Sequence, residues 1–337
     1  VRVYDVHVFS LILGGGANFF KGGLMRKGIF ILLHISLVVL LLTGAAGNQQ
    51  ERLRVSAGLN KTAFIIGEPI YLTFNLKNMT DDVLEFRTRL NLYSDVRIIV
   101  SIPEKMPEDY TGIYEQSLTP NYVFKIPPRE TDHITFTILY KQGSEDGLYF
   151  KTPLEATLSI SLEGIVGSTP EKFLMPPVVV EIKAPDEKDK QALAFLISRR
   201  LIRDIHTGRA SRNDMGAFET FLKDFQDATY TPYALYSLAG GLMIDEKDEK
   251  GDIKQAIARF QDFIARYPQN PLADGAVYRI GDCYDRLGDT VQAKKWFVKL
   301  YNQYPNSSRV TYSDPLLAKY LFGTESENIS PGNWVLY

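Results

Sequence analysis

The segments "ARFQDFIARYP" at 258–268 and "KKWFVKLYNQYP" at 294–305 write one pattern twice. Phe260 falls on Phe297 and Pro268 on Pro305, each 37 positions on. That spacing is near the ~34-residue period of a stacked helical hairpin, and it predicts a repeat array. In the second unit Asn270 precedes Pro271, which suits a helix cap followed by proline at the first helical position. Leu272 to Leu287 then predicts a helix with Val277, Ile280, Tyr284 and Leu287 on one stripe. Gly288 can end it in a left-handed conformation, and Asp289 can cap the next helix, whose buried face is Ala293, Phe297 and Leu300. The first unit runs from Thr231-Pro232, through a helix ending near Ile244, to Gly251-Asp252 and then Ala256, Phe260, Phe263 and Ile264. Upstream, Phe221 and Phe225 echo Phe263 and Tyr267 at an offset of 42, so the array is expected to begin before Thr231.

The second unit resembles a tetratricopeptide repeat. The small residue and Tyr three apart in that family's first helix match Gly281 and Tyr284. The Ala and the aromatic four later in its second helix match Ala293 and Phe297, and the closing proline is Pro305. The family's early Trp is replaced by Val277. The first unit matches at Ala256, Phe260 and Pro268 and departs in its first helix, where the "DEKDEKGD" link is about four residues longer than the family pattern. The wording "YPQNPLADGAVYRIGDCYDRLGD" is similar to repeats of bacterial cell-envelope proteins, which serve in outer-membrane protein assembly or in coordinating envelope constriction. The resemblance implies a partner-binding scaffold. It brings no catalytic residue.

Residues 1–24 resemble neither a targeting signal nor a domain and are expected to be an extension of the gene reading. From Met25 the text changes. Arg26-Lys27, the apolar run Ile29–Leu42 and the small residues Thr43–Gly47 follow the order of a secretory signal peptide spanning 25–46. The alternative is an uncleaved anchor, and membrane association is expected only if residues 29–42 are retained. The single cysteine, Cys283, excludes an internal disulfide, which for an exported chain points to a bacterium rather than a eukaryotic secretory route. The expected location is therefore the periplasm or cell envelope, or the medium. A net charge of −2 gives no footprint for nucleic acid.

Between residues 50 and 184 the texture is that of a β-sandwich. Ile70, Leu72, Phe74 and Leu76 alternate with Tyr71, Thr73, Asn75 and Lys77. Further strands are expected at Leu53–Ala57, Val83–Leu90, Val96–Ile102, Tyr122–Ile126, His133–Tyr140, Leu154–Leu162 and Val178–Ile182. Short strands punctuated by Pro and Gly predict an antiparallel sandwich. "GEPIYLTFNLKNMTDD" loosely resembles immunoglobulin-like domains of bacterial surface proteins, without their Cys–Trp–Cys core. "KAPDEKDK" is expected to link this part to a helical domain over 186–322, with a tail at 323–337.

No motif for chemistry stands out. The mature chain would hold only His133 and His206, in different predicted domains. There is no phosphate-cradling glycine loop, no nucleophile elbow and no calcium loop. The expectation is a non-enzymatic scaffold with no cofactor and no metal, binding a protein or peptide in the envelope and no nucleic acid. A glycan- or polymer-binding protein or hydrolase using the sandwich, and a purely structural surface protein, are the alternatives. Repeat hairpins line a concave surface with their first helices. By the family resemblance Tyr278, Asp282, Asp285 and Arg286 would line a groove there, and Tyr110 and Tyr114, in the long loop 104–120, form a second candidate site.

Overall fold

The computed structural model describes residues 51–90, 95–112, 122–243, 249–307, 309–310 and 314–322. The expected leader, the extension before it, the tail and Tyr114 lie outside the described residues. A β-sheet region is followed by a packed helical repeat region, as the sequence predicts. Strands β1 (Leu53–Leu59), β3 (Ile70–Asn78) and β8 (Thr131–Ile138) form one antiparallel sheet in the order β1-β3-β8. The period of two puts Ile70, Leu72, Phe74 and Leu76 inside and leaves Thr73, Asn75 and Lys77 on the other face.

The second sheet runs β2 (Ala63–Ile65), β11 (Val178–Lys183), β9 (Leu154–Val166), β4 (Leu84–Thr88), β7 (Tyr122–Ile126). β5 (Val96–Ser101) and β10 (Thr169–Leu174) also pair with β9, and β6 (Glu108–Asp109) pairs with β5. Its buried Val96, Ile98, Val100, Leu158, Ile160 and Leu162 join the inner residues of the first sheet in one core. The pairing is antiparallel except between β2 and β11, which run parallel. β9 extends four residues beyond the expected end, Leu162, because Gly167 at φ +64° turns it into β10 through a two-residue loop. At Gly164 a Cβ would stand 2.3 Å from the Phe86 ring and 2.7 Å from the Arg87 carbonyl oxygen, so β9 reaches β4 there only without a side chain.

Helices follow at α1 (Glu187–Ser198), α2 (Ile202–Thr207), α3 (Met215–Asp224), α4 (Thr231–Leu242), α5 (Glu249–Arg266), α6 (Ala273–Arg286) and α7 (Thr290–Gln303). A short α8 (Pro315–Leu317) widens into a π turn over Ala318–Phe322. Asp289 caps α7 by accepting from Gln292 N at 3.0 Å, and Gly288 turns at φ +76°. Asn270 does not cap α6. Its Oδ1 accepts from Leu272 N at 3.0 Å in a turn, and the helix begins at Ala273. The repeat signature packs as its residue types require: Ala256, Phe260, Gly281, Ala293 and Phe297 are buried, Tyr284 is half-buried, and Pro268 and Pro305 close their units at the surface. A Cβ on Gly281 would meet the Phe297 ring at 2.8 Å.

The sheets and helices are not separate modules. The buried cluster that fills the sandwich continues through Leu193, Leu196, Ile205, Phe221 and Tyr230, and the chain from Arg52 on forms one compact unit. Tyr230 donates its buried hydroxyl to Ile66 O at 2.6 Å. Tyr233 donates to Glu68 Oε1 at 3.2 Å, the same oxygen that Lys61 pairs with at 2.5 Å.

Candidate functional site

The outer face of the β1-β3-β8 sheet is polar because every second residue of β3 and β8 is. Thr73 and Thr135 hydroxyls lie 2.9 Å apart, and His133 Nδ1 lies 2.7 Å from Asn75 Oδ1. Part of this face looks onto the repeat helices across a cleft of about 240 Å³. Thr73, Thr135 and Thr137 line one wall, and Tyr236, Arg279 and Arg309 line the other, with His206 and Asp274 between.

Each group of the helical wall is held by a neighbour. Arg279 donates Nε to the Tyr236 hydroxyl at 3.0 Å and Nη1 to Met243 Sδ at 3.7 Å, and its guanidinium lies 5.5 Å from the Tyr236 ring centroid. Arg309 lies over the Tyr278 ring at 5.8 Å. Asp274 accepts from Gly275 N at 2.6 Å and from the Ser307 hydroxyl. Gly275 leaves the space that Tyr236 fills, since a Cβ there would stand 2.7 Å from the Tyr236 hydroxyl. His206 accepts at Nδ1 from Tyr140 N at 3.4 Å, and burial pushes its pKa down to about 3, so the ring is neutral with its proton on Nε2.

The four residues expected to line a groove on α6 are placed as follows. Tyr278 donates to Asp314 Oδ2 at 2.7 Å and packs edge-on against Phe297, ring centroids 5.7 Å apart. Asp285 accepts from Lys319 Nζ at 2.7 Å and from the Tyr320 hydroxyl. Arg286 donates to Met243 O at 2.7 Å. Asp282 is half-buried and makes no hydrogen bond among the described residues; burial raises its pKa, against the pull of Arg286 and Arg279. Residues 314–320 thus lie where an open groove was expected on the C-terminal flank of α6, and α4 occupies the other flank.

Tyr110 requires a correction. It is not an exposed loop aromatic but a core residue, 2 % exposed. Its hydroxyl donates to Tyr140 O at 3.1 Å and accepts from Leu139 N at 3.2 Å, and its ring packs edge-on against Tyr149. Tyr149 and Phe150 are buried too. Among the described residues no group of three or more His, Cys, Asp or Glu is placed to hold a metal ion. No helix among them is long and apolar enough to cross a membrane.

Sequence reasoning missed Arg279, Arg309, Thr135 and Thr137 as cleft residues. The alternation of β8 marks its threonines as outward-facing, but nothing local ties them to a helix more than a hundred residues away.

The tetratricopeptide repeat family matches residues 234–270 and 276–307. The immunoglobulin likeness of the sheet region gains no support from that match. No curated protein matches the chain by sequence. Similar solved structures include a sporulation control protein, Spo0M, from Bacillus subtilis: 15% identity, 43% of this chain and 56% of that one covered, TM-score 0.22. Another is the alkylpurine DNA glycosylase AlkC of Pseudomonas fluorescens bound to abasic-site DNA, at 12% identity, 40% and 31% coverage, TM-score 0.22. A β-glucosidase from Listeria innocua in complex with glucose matches at 10% identity, 39% and 16% coverage, TM-score 0.21. The chain spans less than two thirds of each of these proteins.

Proposed function

We propose that this chain is an exported, non-catalytic scaffold of the bacterial cell envelope that holds a peptide segment of another protein. The tetratricopeptide match supports a protein-interaction module. The single observation that carries the site is the cleft between the polar sheet face and the repeat helices, with its hydroxyl wall and its arginine wall. An extended segment fits such a site, because hydroxyls and guanidinium groups can meet its backbone and side chains while the tyrosines cover its flanks. The order of basic, apolar and small residues over 25–46 supports export. The cleft replaces the α6 groove as the binding surface, since the groove residues other than Asp282 are bonded within the chain.

Site-specific photo-crosslinking in the native host tests this. A photoreactive residue at Thr137, inside the cleft, is expected to trap a partner protein. One at Val291, 74 % exposed on α7 and away from the cleft, is expected to trap none. Adducts from Val291 alone would move the site to the outer side of the array.

A further inference from the structure

We infer that the segment taken by this cleft is acidic, with carboxylate side chains meeting the guanidinium groups of Arg279 and Arg309. This rests on the cleft being the binding site. Both arginines line it, and neither has a carboxylate within ion-pair distance among the described residues. Asp282 and Asp314 act on them only at longer range. Arg279 uses Nε and one Nη1 donor, and its remaining N–H groups have no acceptor among the described residues. Arg309 makes a ring contact and no side-chain hydrogen bond among the described residues.

A guanidinium has five donors in a planar fork that matches a carboxylate bidentately. Stacking each fork on a tyrosine reduces the freedom lost on binding. The facing wall is neutral, made of Thr73, Thr135 and Thr137, so it does not compete for the arginines. Asp274 is already committed to Gly275 N and Ser307. Among the residues lining the cleft Asp274 is the single acid, and two guanidinium groups at separate positions suit separated carboxylates, each meeting one arginine.

The test uses the full chain and two short labelled peptides, one alternating Glu with Ser and the other Gln with Ser, followed by fluorescence anisotropy. The Glu peptide is expected to bind at least about tenfold tighter than the Gln peptide. That preference should shrink in Arg279→Gln and in Arg309→Gln. The second variant guards against misfolding, because the side chain of Arg309 lies over the face of Tyr278 and makes no hydrogen bond among the described residues. Equal binding of both peptides overturns the acidic preference and leaves the cleft reading standing. Binding of neither peptide overturns both. A preference for Glu that persists in both variants places the acid-binding groups elsewhere and overturns the assignment to these arginines. Tighter binding of a single-stranded oligonucleotide than of the Glu peptide overturns it in favour of nucleic acid.

Discussion

Asp204 ends up inside the junction of α2 and α4. Its carboxylate accepts from Ser211 N at 2.7 Å, and its backbone oxygen accepts from the Ser237 hydroxyl at 3.1 Å. Burial, outweighing the Ser211 bond, pushes its pKa up to about 6. A raised folded pKa means that the native state holds the proton more tightly than the unfolded chain. Stability is therefore full below the ordinary carboxylate range and falls as pH rises through about 6. His206, two residues on, has the opposite sign. Its pKa is depressed to about 3, so it contributes stability above the usual histidine range that is lost as pH falls. Asp204→Asn keeps the acceptor for Ser211, and it should remove the fall in stability as pH rises from the ordinary carboxylate range to about 6. His206→Gln should flatten the loss on the acid side. Urea midpoints across this pH window check both, and wild-type slopes in both variants would contradict the assignment. Neither residue announces itself in the sequence, because its shift comes from burial at a junction between distant segments. Cys283, on a repeat helix, is buried, and that burial pushes its thiol up to about 12.

At the scale of elements, periodicity carried most of the reading. The strands with strict alternation are where they were expected, whereas β2, β6 and β10 were not foreseen. β6 is two residues long, and β10 (Thr169–Leu174) carries Pro170, Glu171 and Lys172, held in place by its hairpin with β9 rather than by a buried face of its own. Residues 314–322 fall inside the helical domain expected over 186–322, but their lie against Tyr278 and Asp285 was not foreseen, since sequence alone sets no angle between units. That lie reverses one expectation. By sequence Tyr278 lines an open groove; in the structure it joins Phe297, Asp314 and Arg309. Tyr278→Phe is expected to cost about 1 kcal/mol, the worth of one hydrogen bond to a carboxylate that keeps its backbone donors. Tyr278→Ala should cost about 3 kcal/mol, at the low end for losing a packed ring. Equilibrium urea unfolding decides, and an Ala variant as stable as wild type would show that α8 does not rest on this ring.

For the molecule as a whole, the change from strands to helices near residue 185 was legible and its meaning was not. "KAPDEKDK" has the composition of a solvated linker, yet Asp186 caps α1 and Asp189 is buried, accepting from Thr229 N at 2.8 Å and from the Thr229 hydroxyl at 2.7 Å. Charges that look like linker therefore fasten α1 to the turn before α4, and the sheet region and the array share one core. The cleft follows from that sharing: one wall comes from β3 and β8, the other from the repeats. A ligand held in this cleft by the repeats would also touch the sheet. The most direct measurement is the affinity of the segment crosslinked at Thr137 for the full-length Thr137→Trp variant, which fills the cleft from the sheet side and leaves every residue of the repeat helices unchanged in sequence. Binding weakened by at least about tenfold at unchanged thermal stability is the predicted result. Wild-type affinity in that variant would mean that the repeats bind without the sheet, and it would contradict the joint site.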